Sequence, residues 1–331
     1  MRRRTIIAPV VAAIAAAALV TPALAQKQKP APQPPPAKAA PAPAQPQDSG
    51  DAAYAAYQRG HYLTALREAK QRVDSSGDPK AMALLGLLYA QGLGVPLNDA
   101  VAADWYKRAA DRGDREAMFQ LALFRLLGRG GPRDPDAAAK LLAESAKLGE
   151  TAAAYDLGLL YLDGREFPQD QARAAELFRM AAEAGNPEAQ YALGTLYMQG
   201  HGVPKDDAQA ARWMGAAALA GNVDAQVEYA IALFNGTGVA RDESAAIGFF
   251  EKAARRGNPI AQNRLAHVLA SGLGTAADPV QAAKWHLVAK AGGEADPALD
   301  VFVARLTPAQ RADAEKAAKP WLDALAGPNK P

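Results

Sequence analysis

Apolar and polar positions along this chain recur with a period of 36 residues, marked by Gly77, Gly113, Gly149, Gly185, Gly221, Gly257 and Gly293. Counting from each glycine as zero, alanine holds position four (Ala81, Ala117, Ala153, Ala189, Ala225, Ala261). It also holds position twenty-five, from Ala102 to Ala282. Position eight is leucine except for Tyr229, position fifteen is glycine from Gly92 to Gly272, and position twenty-eight is Trp, Leu or Phe from Trp105 to Trp285. Within the first half of each unit apolar residues return at offsets of three and four, as one buried helical face requires. Asp78-Pro79, Asn186-Pro187 and Asn258-Pro259 offer an N-cap side chain followed by proline at the first helical position. The position-fifteen glycine suits a left-handed C-cap. A loop such as Gly200-His201-Gly202-Val203-Pro204 follows, and a second helix is expected to start near Asp99, Asp134, Asp170, Asp206, Asp242 and Asp278.

The pattern therefore predicts an all-α chain with two helices per repeat. A single pair cannot bury its own apolar face, whereas stacked pairs share one core, which makes a solenoid. The alanines let backbones approach, and the large residue at position twenty-eight is expected to fill the space between pairs. The ends differ from the middle. Tyr57, Gly60, Tyr62 and Ala65 suggest a first pair with a shorter loop. After Gly293 a degenerate cap keeps phase as far as Trp321, with Thr307 placed to cap the last helix. The folded part is expected over 51–326, with repeats starting at 77, 113, 149, 185, 221 and 257, a cap from 293 and a tail over 327–331.

Between Gly185 and Ala220 the order Gly185, Ala189, Leu193-Gly194, Tyr197, Gly200, Gly202-Val203, Ala210-Ala211, Trp213 resembles the Sel-1-like repeat family, a branch of the tetratricopeptide-type helical solenoids. The resemblance covers the whole expected folded part. It implies a right-handed α–α superhelix of about eight helix pairs built from 36-residue repeats. It also implies an adaptor or scaffold that assembles other proteins. Exported bacterial members of the family take part in envelope processes, including restraint of sensor kinases and control of exopolysaccharide. Two departures stand out: Arg125 replaces the aromatic at position twelve of the second repeat, and Glu166-Phe167 replace Gly-Val in the third.

Composition changes the picture at the N-terminus. Arg2, Arg3 and Arg4 precede an apolar run from Ile6 to Val20, and Ala23-Leu24-Ala25 forms a small-x-small cleavage site. Residues 1–25 thus read as a secretory signal cleaved near Ala25, which places the mature chain in the periplasm or outside the cell. A retained anchor is the competing reading, but the run falls short of the roughly 20 apolar residues a spanning helix needs. Arg3-Arg4 faintly resembles a twin-arginine signal, although general secretion is the simpler route. Residues 26–50 hold eight prolines among Ala and Gln and read as a disordered linker. It could serve as a tether or as a ligand for a proline-binding module. The full chain has 37 basic and 35 acidic residues, and removing the three leader arginines leaves 34 against 35. That balance argues against nucleic-acid binding and against a polybasic membrane patch. With no cysteine in the sequence, disulfides and thiol chemistry are excluded.

Chemical motifs are sparse. The four histidines are His61, His201, His267 and His286, in no metal-binding spacing. Gly92-x-Gly94 and its counterparts follow helices, unlike a dinucleotide fingerprint, and neither G-x-S-x-G nor S-x-x-K occurs. No catalytic, cofactor-binding or metal-binding residue is expected, and no cofactor. The expected partner is another protein or peptide, bound by a monomer. By analogy with related solenoids the first helices line the inner side, with positions six, ten and thirteen facing inward. Candidate partner-binding residues there are Phe119, Leu123, Tyr155, Leu159, Tyr191, Met198 and Phe234, forming a groove for an apolar or amphipathic peptide. Packing between adjacent first helices is the competing account of the same stripe. A cell-wall or polysaccharide-binding protein is the alternative function, and a hydrolytic enzyme the third reading.

Overall fold

The computed structural model describes residues 52–326, and the expected leader (1–25), linker (26–50) and tail (327–331) lie outside them. Among the described residues there are sixteen helices and no strand. They fall into two compact units that meet in sequence between Glu166 and Phe167. The N-terminal unit holds α1 (Ala52–Gln58), α2 (Tyr62–Ser76), α3 (Pro79–Gln91), α4 (Asp99–Ala110), α5 (Arg115–Leu127), α6 (Pro135–Lys147) and α7 (Thr151–Asp163). The C-terminal unit holds α8 (Gln171–Glu183), α9 (Pro187–Gln199), α10 (Asp207–Leu219), α11 (Val223–Asn235), α12 (Glu243–Arg255), α13 (Pro259–Ser271), α14 (Pro279–Ala291), α15 (Pro297–Ala304) and α16 (Pro308–Ala326).

Within each unit nearly every helix packs on the next in sequence, as stacked pairs of a solenoid do. The helix ends explain this regularity. Asn186 and Asn258 accept from the N–H of Ala189 and Ala261 at 2.8 and 3.0 Å, while Asp78 accepts from Lys80, each with proline at the first helical position. Second helices are capped by Asp134, Asp170, Asp206, Asp242 and Asp278, but α4 is capped by Asn98, with Asp99 inside its first turn. First helices end on left-handed glycines, as at Gly200 with φ 74°. Thr307 and Gln310 form a reciprocal capping box at the start of α16.

The core follows the predicted alanine columns. Every position-four alanine from Ala81 to Ala261 is fully buried, and position twenty-five is at most 4% exposed, at Ala210. Large residues fill two adjacent columns. Position twenty-eight is core at Trp213 and Trp285 and half-buried at Trp105, Leu141, Leu177 and Phe249, with Trp105 packed on two successive core clusters as expected of a residue between pairs. Position twenty-nine (Tyr106, Leu142, Phe178, Met214, Phe250, His286) is at most 2% exposed throughout. The reason is the partner column at position nine, which is always Gly or Ala. A β-carbon on Gly86 would lie 2.6 Å from the Tyr106 ring, and one on Gly194 would lie 2.9 Å from Met214 Cγ. Small at nine and large at twenty-nine interdigitate, as dense packing demands. At the C-terminal end α16 lies against α14, with the Trp285 and Trp321 rings 5.1 Å apart, while the short α15 touches α13 and α14 lightly.

Candidate functional site: the first-helix faces

The candidate residues separate by burial. In the N-terminal unit Phe119 (8% exposed) and Leu123 (4%) are sealed inside, so contact with their own helices accounts for them. Tyr155 and Leu159 on α7 keep part of their surface open. In the C-terminal unit Tyr191 on α9 and Phe234 on α11 are half-buried, and Met198 is 36% exposed. Ile231, one turn before Phe234, is also half-buried. Val227, at position six of the same helix, is core. The stripe is thus a mixture. Positions whose neighbours crowd them join the core, while Tyr191, Met198, Ile231 and Phe234 leave an apolar edge on the C-terminal unit.

Carboxylates border that edge. Tyr191 has its hydroxyl pKa pushed up to about 12, by burial first and then by Asp224 and Glu228, so both acids lie near its ring. Glu228 is itself raised, by burial foremost and then by Asp224, with Arg264 opposing. Asp224 accepts a hydrogen bond from Asn258 Nδ2 at 3.3 Å. In the N-terminal unit Glu116 is raised mainly by burial and accepts from Gln120 Nε2 at 2.8 Å. On α7, Asp156 is 7% exposed, and burial alone lifts its carboxyl to about 7. No sequence motif picks out these acids. Those of the C-terminal unit carry a compositional signal, since α9 and α11 hold Glu188, Asp224 and Glu228 and no lysine or arginine.

Two histidine–aspartate contacts near the C-terminus invite comparison with catalytic dyads. His267 Nε2 lies 2.7 Å from Asp296 Oδ2, which also accepts from Asn263 Nδ2 at 3.2 Å. Asp296 Oδ1 caps α15 by accepting from the N–H groups of Ala298 and Leu299. Burial works to raise the Asp296 pKa, but these donors prevail and hold it well below the carboxylate range. The nearby Ser271 hydroxyl donates to the His267 backbone carbonyl at 2.8 Å instead of the ring, so no nucleophile is activated. The constellation fastens α15 onto α13. His286 occupies the buried position-twenty-nine column, with Nε2 2.7 Å from Asp300 Oδ1, and Lys290 Nζ reaches the same oxygen at 2.7 Å. These donors, Lys290 first, hold the Asp300 pKa below its ordinary value. His201 is an exposed loop residue. Among the described residues no group of three His, Asp or Glu side chains converges as a metal-ligand set. None of the described helices is long and apolar enough to cross a membrane.

Comparison with known proteins agrees with this architecture. The Sel1 repeat profile matches residues 79–114, 115–150, 151–186, 187–222, 223–258 and 259–294, each span opening at the start of a first helix. The fold is similar to that of a protective antigen from uropathogenic Escherichia coli strains displaying an SLR fold, with a TM-score of 0.71 and 27% identity over 85% of this chain. This chain spans 64% of the antigen's length. It is also similar to a Sel1 repeat protein from Oxalobacter formigenes, with a TM-score of 0.60 and 29% identity, covering 72% of this chain and 94% of that one. A search of curated proteins found no match. Proteins built from Sel1 repeats are generally protein-interaction scaffolds, typically without catalytic activity. With six matched units running without a gap from 79 to 294, on helices that keep the same alanine columns, the chain belongs to the Sel1 repeat family.

Proposed function

We propose that this chain is an exported scaffold of the bacterial envelope that holds a protein or peptide on its first-helix faces. Export rests on the leader pattern of Arg2–Arg4, Ile6–Val20 and Ala23-Leu24-Ala25. The observation that carries the binding reading is the open apolar edge of the C-terminal unit, where Tyr191, Ile231 and Phe234 are half-buried and Met198 is exposed. Half-exposed aromatics suit recognition, because a rigid ring contributes large contact area at low entropic cost. The buried residues of these helices, such as Leu193, Ala225 and Leu233, are committed to packing, so binding would add contacts without disturbing the core.

The test is capture of a defined envelope partner by cross-linking. Tyr191→Ala together with Phe234→Ala is expected to lower capture about tenfold or more, the scale for losing interface anchors, with helicity unchanged by circular dichroism. Capture of wall polymer alone would favour the polysaccharide reading. Undiminished protein capture by the double variant would remove this face as the binding surface.

A further inference from the structure

The carboxylates bordering the apolar edge say more about the occupant. Glu188 and Asp224 hold position three on successive first helices, and Glu228 holds position seven one turn beyond Asp224. Most other acids of this unit are already engaged. Asp206, Asp242 and Asp278 cap helices, and Asp207, Glu243 and Glu251 pair with Lys205, Arg241 and Arg255. Glu228 is different. It is half-buried, and among the described residues its carboxyl accepts no hydrogen bond and forms no ion pair, while Asp224 adds like charge beside it. Helix α11 thus sets the exposed Asp224 one turn from the half-buried Glu228, and Arg264 on α13, the cation that acts on Glu228, makes no ion pair with it. A cation arriving there would meet a Glu228 carboxyl that has already lost part of its hydration, flanked by the exposed Asp224 and Glu188, so its attraction would exceed that of an ordinary surface pair.

We propose that the α9–α11 face of the C-terminal unit docks a basic amphipathic segment of a partner protein. Its Lys or Arg side chains meet Glu228, Asp224 and Glu188, and its apolar side chains lie on Tyr191, Ile231 and Phe234. The assignment rests on the reading of the first-helix face as the binding surface, and adds the charge and pattern of what binds there. The acids select a partner by sign, while the apolar edge supplies the contact that survives salt.

The experiment uses the full chain and three fluorescein-labelled helical peptides of about four turns. The first has leucines along one face and lysines along the other, the second replaces the lysines with glutamates, and the third keeps the lysines but replaces the leucines with serines. Fluorescence anisotropy is expected to show the Lys/Leu peptide binding at least about tenfold more tightly than either analogue. Asp224→Asn with Glu228→Gln should abolish most of that preference, and should fold, because it removes charge from a repulsive pair. Independently of any variant, raising salt from about 0.05 to 0.5 M should weaken the Lys/Leu peptide selectively. Equal binding of the Lys/Leu and Glu/Leu peptides, both lost in Tyr191→Ala with Phe234→Ala, would overturn the charge assignment and leave the apolar face standing. Equal binding of the leucine-free peptide would also overturn it, as diffuse attraction only. Absence of binding by all three, or binding indifferent to both pairs of substitutions, would sink this proposal and the face reading together.

Discussion

At the scale of single residues, one column of the repeat holds no fixed type of side chain. Position seven runs Leu84, Gln120, Asp156, Ala192, Glu228 and Arg264, and of its two carboxyls the buried one is that of Asp156. Its carboxyl titrates near 7 when folded and near the ordinary ~4 when unfolded. The folded chain therefore holds this proton more tightly than the unfolded chain. The stability it confers is fully present below about pH 4, declines as pH climbs, and is lost once pH passes about 7. Three pH units correspond to on the order of 4 kcal/mol. Glu116 and Glu228, also raised, push in the same direction. Asp296 and Asp300, both lowered, stay ionised above about pH 4.5 and do not confuse this window. Thermal unfolding at pH 4.5, 6 and 8 is expected to show a falling midpoint. Asp156→Leu, restoring the side chain of the first repeat, should flatten most of that slope and raise the midpoint at pH 8. A slope unchanged by the substitution would mean that Asp156 is not the titrating group.

At the scale of the helix and its loop, two glycine columns have unlike reasons to exist. Gly185, at the start of a repeat, has φ 90° with nothing within 4 Å of an added β-carbon, so only the backbone conformation asks for glycine. Alanine there should cost about 1–2 kcal/mol. Gly238, three residues past the end of α11, has φ 70°, and an added β-carbon would lie 1.9 Å from the Asp207 carbonyl oxygen. Its loop rests on the first turn of α10, a contact that a methyl group would break. Gly238→Ala should therefore cost roughly 2–3 kcal/mol more than Gly185→Ala, read from urea midpoints. Equal costs would mean that the loop yields freely. The same contact recurs at Gly130 on Asp99 and at Gly202 on Gln171.

At the scale of the whole molecule, the boundary between the two compact units falls where this loop pattern fails. Glu166-Phe167 take the place of Gly-Val, and the Glu166 side chain pairs with Arg133. Arg165, beside the boundary, has a side chain 53% exposed and reaches Asp163 at 3.2 Å. Within residues 52–326, limited trypsin digestion is expected to cut first after Arg165, since exposed loops with little buried backbone are nicked preferentially. Mass spectrometry of the first fragments checks this. Glu166→Gly with Phe167→Val, which restores the loop of the other repeats, should slow that cleavage. First cleavage elsewhere within 52–326 would show that the altered loop is as well held as its counterparts.

Much of this was legible along the chain. A period that holds six columns over six repeats specifies two helices per unit, their caps and their alanine contacts, because each feature follows from local geometry or nearest-neighbour packing. Thr307 as a cap and Asn186-Pro187 as a helix start needed nothing beyond adjacent residues. Three-dimensional packing decided what periodicity leaves open. The same apolar spacing produces the sealed Phe119 and Leu123 and the open Tyr191 and Phe234, since exposure depends on what the neighbouring helix presents. It added a fully buried large residue at position twenty-nine beside the expected one at twenty-eight, because the small residue that receives it lies twenty positions away on the other helix. Asp156 and Glu228 read as ordinary helix-surface acids until their burial was known, for a carboxyl's pKa is set by its surroundings in space and leaves no mark on its neighbours in sequence.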